Sequence, residues 1–236
     1  MDKKLILIPP FMATQSFWDN QTEVLSDVAD INIPDTTAHE NIQDLASEII
    51  ASAPDEFYLA GLSMGGYISF EILRQLMARG EDFRVKKLAL LGTNFRADTD
   101  ALRKARKDQM AAAMDGGMDS VYSDVIPLLV HKRFQKDLDF LTQLYSMVLA
   151  LGPQVFARQQ MVNMSRQDST SLLPKIKCPT LLICGREDVL TPMSYHTLMQ
   201  EFIPNAELLL LDDCAHYSPI EQPEKVSSAL KQWLVD

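Results

Sequence analysis

Cysteine is scarce in this sequence, and long apolar runs are missing. The three cysteines are Cys178, Cys184 and Cys214. Their odd number and irregular spacing fit neither a disulfide framework nor the paired CxxC pattern of a zinc site. Free thiols are typical of a reducing cytosol. The apolar run Leu5–Ile8 ends at a proline pair and is too short for the core of a signal peptide, and no run approaches the roughly 18 apolar residues of a membrane span. We therefore expect a cytoplasmic protein with no membrane partner.

Positive charge is also in short supply. The 236 residues include 22 Lys and Arg against 32 Asp and Glu, which gives a formal net charge of -10. Nucleic acids and anionic membrane surfaces are bound through Lys and Arg side chains, so neither is expected as a partner. Hydrophobic residues make up 47% of the chain, which is enough for a sizeable core in one large α/β domain or two small ones.

Short apolar runs that end in turn residues alternate with stretches of helical periodicity. The runs have the length and character of strands buried on both faces of a sheet, and they are Leu5–Ile8, Ile31–Ile33, Phe57–Ala60, Leu88–Leu91, Thr180–Cys184 and Leu208–Leu211. The helical patterns are Ile42–Ala51, Gly65–Arg79, Leu198–Phe202 and Lys225–Leu234. This alternation predicts an α/β fold, with a mostly parallel sheet of about six strands and helices on both faces.

One region interrupts the alternation. Between about residues 93 and 174 no strand pattern is convincing, and the helical stretches predicted there are Ala101–Met114, Val121–Val130, Leu138–Leu149 and Pro153–Met164. Paired turn residues separate the first two stretches (Gly116 and Gly117) and the last two (Gly152 and Pro153). We expect residues 93–174 to form an all-helical cap, inserted into a core made of residues 1–92 and 175–236.

A G-x-S-x-G pattern lies between a predicted strand and a predicted helix, as Gly61, Ser63 and Gly65. In that context it indicates a sharp, strained turn that exposes the serine hydroxyl. A side chain at either glycine would crowd such a turn. The turn also directs the next backbone N–H and the helix N-terminus at the same space, where both favour a developing oxyanion. An ordinary glycine-rich turn is the alternative, and Ser63 as a nucleophile needs a base elsewhere in the chain.

His216 is the histidine best placed to serve as that base. It follows the last apolar run, and catalytic groups of open α/β sheets gather at the carboxyl ends of the strands. The other histidines lie in helical or loop segments without such placement (His39, His131 and His196). Asp188 and Glu187 both follow the fifth apolar run, so either carboxylate is available to orient the base. The order serine, acid, histidine is the one expected when such a turn carries the nucleophile.

Three separated motifs now match one family. The sequence reads G-L-S-M-G-G around Ser63, G-R-E-D-V-L-T-P around Asp188 and A-H-Y-S-P-I-E-Q-P-E around His216. In these motifs and their order the chain resembles the α/β-hydrolase superfamily over nearly its whole length. Its helical insertion is similar to the cap of small carboxylesterase-like members, which include pimeloyl-carrier-protein methyl esterases, 3-oxoadipate enol-lactonases and cofactor-free haloperoxidase-like esterases. The resemblance implies a triad in which Ser63 is the nucleophile, His216 the base and Asp188 the acid.

The oxyanion hole departs from the family pattern. Family members usually carry His-Gly after the first parallel strand, where this chain reads Pro-Pro-Phe at residues 9–11. The resemblance implies that the backbone N–H groups of Phe11 and Met64 are the oxyanion donors, since the proline before Phe11 has no N–H to donate. We also expect Phe17 and Trp18 to line a mostly apolar substrate pocket under the cap.

These features predict a serine hydrolase that cleaves a small-molecule carboxylic ester through an acyl-enzyme on Ser63, with no metal and no organic cofactor. The same triad also serves thioesterases, enol-lactonases and carbon–carbon bond hydrolases or lyases, because the fold does not fix the substrate. A non-catalytic binding module on this fold is a further alternative, although a binding module has no need of all three triad members. The sequence leaves the oligomeric state open.

Overall fold

Six parallel strands form one sheet in the computed structural model, which describes residues 3–236. The strands run in the order β2-β1-β3-β4-β5-β6, and each apolar run predicted as a strand overlaps one of them. Their bounds are Lys4–Ile8 (β1), Asp30–Asn32 (β2), Phe57–Leu62 (β3), Val85–Leu91 (β4), Thr180–Gly185 (β5) and Ala206–Leu211 (β6). The prediction of an α/β fold with a mostly parallel sheet of about six strands is confirmed.

Helices connect the strands and pack on both faces of the sheet. They are α1 (Asp19–Leu25), α2 (Ile42–Ser52), α3 (Met64–Arg79), α4 (Asp100–Gly116), α5 (Met118–Leu129), α6 (Leu138–Ser165), α7 (Met193–Phe202), α8 (Ser218–Glu221) and α9 (Pro223–Val235). The helical stretches predicted outside the insertion correspond to α2, α3, α7 and α9. Helix α1 has no counterpart in the prediction.

The central strands are buried on both faces because alternate side chains enter two separate hydrophobic clusters. Ile6 and Ile8 of β1 pack with residues of α2 and α3, whereas Leu5 and Leu7 point to the opposite face, where α1 and α9 lie. A strand with a core above and below it can be apolar throughout. The edge strand β6 keeps most of its side chains only half-buried.

Helices α4, α5 and α6 lie between β4 and β5, in the region expected to form the cap. The predicted break falls within α6, where Gly152 is non-helical with φ 70° and ψ 175°. By length and composition alone α6 is apolar enough to cross a membrane, but this break divides it into two shorter helices. Leu144 and Val162 of α6 are buried in the same clusters as the strands. The division of the chain into core and cap stays a prediction.

The three cysteines are unpaired thiols, and two of them are fully buried. Burial raises the pKa of Cys178 to about 11 and that of Cys184 to about 12, because the thiolate would lose its contact with water. Burial also raises the pKa of Cys214. All three thiols are therefore protonated at neutral pH.

Candidate active site

Ser63 occupies a tight turn between β3, which ends at Leu62, and α3, which begins at Met64. Its backbone has φ 54° and ψ -112°, a strained conformation for a residue that carries a side chain. Glycines let the surrounding backbone close around this turn. A Cβ atom at Gly61 would lie 2.3 Å from the carbonyl oxygen of Gly65, and one at Gly65 would lie 2.3 Å from the carbonyl oxygen of Ile8. Any larger residue at either position would force the turn open.

Asp188 and His216 meet at the same edge of the sheet, just after β5 and β6. His216 Nδ1 lies 2.9 Å from Asp188 Oδ2, and the two side chains are 2% and 0% exposed. The Thr191 hydroxyl donates to the same carboxylate oxygen at 2.7 Å. The backbone N–H groups of Leu190 and Thr191 donate to Oδ1, each at 2.9 Å. Asp188 is thus a buried carboxylate with hydrogen-bond donors on both oxygens.

The environment of Asp188 keeps its carboxyl group ionised. Burial on its own would raise the pKa of Asp188, because the charged form loses its water. The neighbouring His216 and the hydrogen bonds from His216 and Thr191 outweigh burial and hold the pKa of Asp188 well below its usual range. An ionised carboxylate accepts the proton of Nδ1, which leaves Nε2 of His216 as the nitrogen that can take a proton from another group.

Ser63 and His216 line the same pocket, which has a volume of about 210 Å³. Its apolar lining comes from the turn after β1, from α4 and α5, and from the loop after β5 (Pro10, Phe11, Leu102, Ala105, Val125, Leu128, Leu129 and Leu190). Within residues 3–236 the Ser63 hydroxyl and His216 Nε2 form no hydrogen bond with each other. Such bonds are often long in a site without substrate and tighten in the complex.

The two backbone groups expected to form the oxyanion hole belong to different segments. Met64 is the first residue of α3, so its N–H has no acceptor within the helix. Phe11 lines the pocket, and its carbonyl oxygen accepts a hydrogen bond from the Tyr217 hydroxyl at 3.3 Å. The Phe11 N–H makes no backbone hydrogen bond in the described part of the chain. That Phe11 and Met64 act as oxyanion donors stays a prediction.

Phe17 and Trp18 do not line this pocket, which corrects the expectation from the sequence. Both are buried in the hydrophobic core, with exposures of 2% and 0%. The ring of Phe17 packs edge-on against Trp18 and Tyr217, at centroid distances of 5.6 Å and 5.0 Å. These aromatic residues anchor the start of α1 on the sheet. Two adjacent aromatic residues after β1 give the same sequence signal whether they face the pocket or the core.

One wall of the pocket is polar and charged, and sequence analysis missed it. Its side chains come from α4, from α6 and from the residue after α6 (Arg106, Gln109, Gln160, Asn163 and Arg166). In the sequence, the charges of α4 look like those of a solvated helix face. Only the packing of α4 on α6 brings these polar groups together.

Sequence analysis also missed the role of Glu221, although this residue belongs to the motif around His216. Its carboxylate accepts the backbone N–H groups of Ala215 at 3.0 Å and Tyr217 at 3.1 Å, one on each side of His216. It also accepts the N–H of His131 at 3.0 Å. Burial raises the pKa of Glu221, and these hydrogen bonds oppose that shift. Glu221 therefore fixes the backbone that carries His216.

A separate group of side chains has the geometry of a metal-ligand set. His131, Glu187 and Asp213 each place one ligand atom within 4.8 Å of the others. None of the three lines the pocket. They come from distant parts of the chain, so no spacing in the sequence revealed them. Glu187 and Asp213 are exposed, and exposed carboxylates meet in this way without binding a metal.

Comparisons with known proteins find a matching family and several similar proteins. A model of the alpha/beta hydrolase fold family matches residues 50–223. AB hydrolase superfamily protein YisY of Bacillus subtilis is 25% identical over 196 residues, which cover 80% of this chain and 70% of that protein. A pimeloyl-[acyl-carrier protein] methyl ester esterase of Nitrosomonas europaea is 24% identical over 241 residues and covers 95% of this chain and 92% of that protein.

Solved structures show the same fold. A thermophilic esterase from Thermogutta terrifontis superposes on this chain with a TM-score of 0.87 at 24% identity. The match covers 99% of this chain and 90% of that esterase. Several other curated relatives match over less than two thirds of their own length. The part of this chain that matches the family model, residues 50–223, contains Ser63, Asp188 and His216.

Proposed function

The chain belongs to the α/β-hydrolase fold family, and from that membership we propose that it is a serine hydrolase of small carboxylic esters that works through an acyl-enzyme on Ser63. One arrangement carries the proposal: Ser63 on a strained turn shares a pocket with His216, whose Nδ1 is held by the buried Asp188. Ester substrates are supported by the similarity of nearly the whole chain to a methyl ester esterase.

In the first half of the proposed reaction, the Ser63 hydroxyl attacks the ester carbonyl carbon while Nε2 of His216 takes its proton. The negative charge of Asp188 stabilises the imidazolium that forms. The carbonyl oxygen becomes an oxyanion and accepts hydrogen bonds from the N–H groups of Phe11 and Met64. The tetrahedral intermediate then expels the alcohol, which takes the proton from His216, and the acyl group stays on Ser63.

In the second half, water replaces the alcohol. His216 Nε2 takes a proton from the water as its oxygen attacks the acyl carbonyl, and the same N–H groups hold the second oxyanion. Collapse of this intermediate returns the proton to Ser63 and releases a carboxylic acid. The pocket of about 210 Å³ is smaller than the roughly 300 Å³ at which pockets for drug-sized ligands begin, so the substrates are small esters.

Labelling with a fluorophosphonate probe and a panel of p-nitrophenyl esters of graded acyl length test the proposal. We expect one adduct, on Ser63, because an activated serine reacts and ordinary surface serines do not. Ser63→Ala should lose the adduct and about 10⁴- to 10⁶-fold in turnover with the fold intact. The control Ser26→Ala removes an exposed serine and should behave as wild type. An adduct elsewhere, or a tenth of the turnover left in Ser63→Ala, would refute the mechanism.

A further inference from the structure

The polar wall of the pocket holds more positive than negative charge. Arg106 Nε lies 2.7 Å from Asp98 Oδ2, and Arg166 contacts the other oxygen of the same carboxylate. The Asp98 side chain is fully buried, and two guanidinium ions share it, so this cluster has one positive charge in excess. No acidic side chain of the described residues lines the pocket. An unmatched charge shielded from water is costly, and an approaching anion relieves that cost.

The two arginines differ in how many of their donors are already used. Arg166 donates to the carbonyl oxygens of Arg96 and Asn163, each at 2.9 Å, and its guanidinium lies 4.2 Å from the ring centroid of Tyr67. Arg106 donates through Nε to Asp98 and through Nη1 to Gln160 at 2.6 Å. Arg106 Nη2 makes no hydrogen bond to any residue between 3 and 236. Arg166 is therefore committed to the structure, whereas Arg106 has donors left for a ligand.

Asn163 provides an independent sign of a missing polar ligand. Its side chain lines the pocket and is 2% exposed, and its Oδ1 has no hydrogen-bond partner among the described residues. A buried amide without a partner costs free energy, so its partner is expected to come from elsewhere. The Nδ2 group of Asn163 also donates no hydrogen bond to any residue between 3 and 236, so the side chain has N–H donors available to a ligand in the pocket.

We propose that Arg106, with Asn163 as a second donor, binds a carboxylate carried by the ester substrate. The inference rests on the proposed function, since it names the class of ester that the same pocket takes. A guanidinium group presents N–H donors in a plane that matches the two oxygens of a carboxylate. Asp98 and Gln160 hold Arg106 in place, so little side-chain entropy is lost on binding. The preferred substrates are then esters with a free carboxylate on either the acyl or the alcohol side.

Matched pairs of esters test this preference in the wild-type enzyme. Monomethyl glutarate carries the carboxylate on the acyl side, and its carboxamide analogue has the same shape without the charge. In 3-acetoxypropanoate the carboxylate lies on the alcohol side of the ester, and its carboxamide analogue again has the same shape without the charge. We expect kcat/KM to be about 10- to 100-fold higher for the carboxylate in one of the two pairs, as for a charge-assisted hydrogen bond. Equal kcat/KM values within both pairs would overturn the proposal.

Two single variants assign the preference to Arg106. Arg106→Gln should erase the difference between carboxylate and carboxamide, mainly by raising KM for the carboxylate. Lys107→Gln removes the same charge from the next residue, which is exposed and does not line the pocket, and should keep the wild-type preference. A preference that survives in Arg106→Gln, or that Lys107→Gln removes equally, would contradict a specific site. If Arg106→Gln does not fold, the comparison of carboxylate and carboxamide esters in the wild-type enzyme still decides the question.

Binding without chemistry separates this inference from the proposed function. Isothermal titration of glutarate into Ser63→Ala should show one site, and Arg106→Gln in that background should remove it. Glutarate binding through Arg106 without hydrolysis of any ester would support the carboxylate site and refute the proposed function. Hydrolysis of neutral esters, without a preference for carboxylate substrates and without glutarate binding, would support the proposed function and refute the carboxylate site.

Discussion

At Asp188, burial raises the pKa of the carboxyl group, whereas the charge interaction with His216 and the hydrogen bonds from His216 and Thr191 lower it and together prevail. Its neighbour Glu187 has a different environment, although the two are adjacent in the sequence. The Glu187 carboxylate is exposed and accepts the backbone N–H of Cys214 at 3.0 Å, whereas Asp188 faces the imidazole of His216. The sequence left both residues available, and the direction of each side chain from the turn separates them.

Substitution of each carboxylate by its amide tests which one orients the base. Asp188→Asn keeps the shape but loses the charge and favours the wrong tautomer of His216, so we expect turnover to fall by about 10³- to 10⁴-fold. Glu187→Gln is the matched control and should cost less than about tenfold, because an exposed charge is screened. Turnover of one ester at a fixed pH is the measurement. A crippled Glu187→Gln beside a nearly normal Asp188→Asn would reverse the assignment.

Residues of the candidate site could be read from the sequence where a short motif follows a strand. Ser63, Asp188 and His216 each lie within a few residues of a strand end, so the parallel sheet alone brings them to one edge. Arg106 and Asn163 lie on α4 and α6, more than fifty residues apart, and no sheet fixes their distance. Their placement depends on how two helices pack, which is a tertiary property that a single sequence does not encode in any local pattern.

At the scale of single elements, a glycine allows the backbone of α6 to break in the middle of the helix. Gly152 combines φ 70° with ψ 175°, a region that side chains avoid, and Pro153 then starts the second half of the helix. The sequence predicted this break because Gly-Pro is a strong punctuation signal. Helix α1 was missed because it is only seven residues long and its buried aromatic anchors precede it.

Two glycine substitutions compare strained and unstrained positions in the same helical region. Gly152→Ala should lower the free energy of unfolding by about 1–3 kcal/mol, because alanine is strained at this φ and ψ. The control Gly116→Ala lies in the last position of α4, where an added Cβ would meet nothing within 4 Å, and it should be neutral or slightly stabilising. Urea unfolding gives both values. Equal stabilities of the two variants would show that the break is not strained.

At the scale of the whole molecule, stability depends on a histidine buried beneath the site. His196 is fully buried, and its Nε2 accepts the backbone N–H of Thr93 at 3.3 Å. Burial lowers the pKa of His196 to about 4, and the nearby Asp188 only partly opposes this shift. Between pH 6.5 and pH 4 the unfolded chain binds a proton at this position and the folded chain does not. Stability from His196 is therefore complete above pH 6.5 and is lost as the pH falls to 4.

A variant that cannot titrate isolates this contribution. His196→Gln keeps an acceptor for the Thr93 N–H and removes the proton-binding group. We expect wild type to lose about 2 kcal/mol more of its free energy of unfolding than His196→Gln when the pH falls from 7 to 5. Urea unfolding at both pH values measures the difference, and other titrating groups cancel in the comparison. If the free energy of unfolding falls by the same amount in both proteins, the pKa of His196 is not lowered in the folded state.

The overall architecture was more predictable from the sequence than the lining of the candidate pocket. Six apolar runs with helices between them lead to one parallel sheet, because a strand that is apolar throughout needs cover on both faces. Phe17 and Trp18 show the limit of that reasoning, since burial against the sheet and burial in a pocket leave the same composition. The assignment of residues 93–174 to a separate cap is likewise not decided by pattern, because α6 shares its buried side chains with the sheet.

The protonated thiols described above bear on how this protein can be studied in solution. Alkylating dyes react with thiolates, and burial keeps Cys178, Cys184 and Cys214 in the thiol form at neutral pH. A single cysteine introduced on the exposed side of α6, for example at Leu149, would therefore take up a spin label or fluorophore with little competition from the native thiols. The label then reports whether the surroundings of α6 change during turnover, in an otherwise unaltered chain.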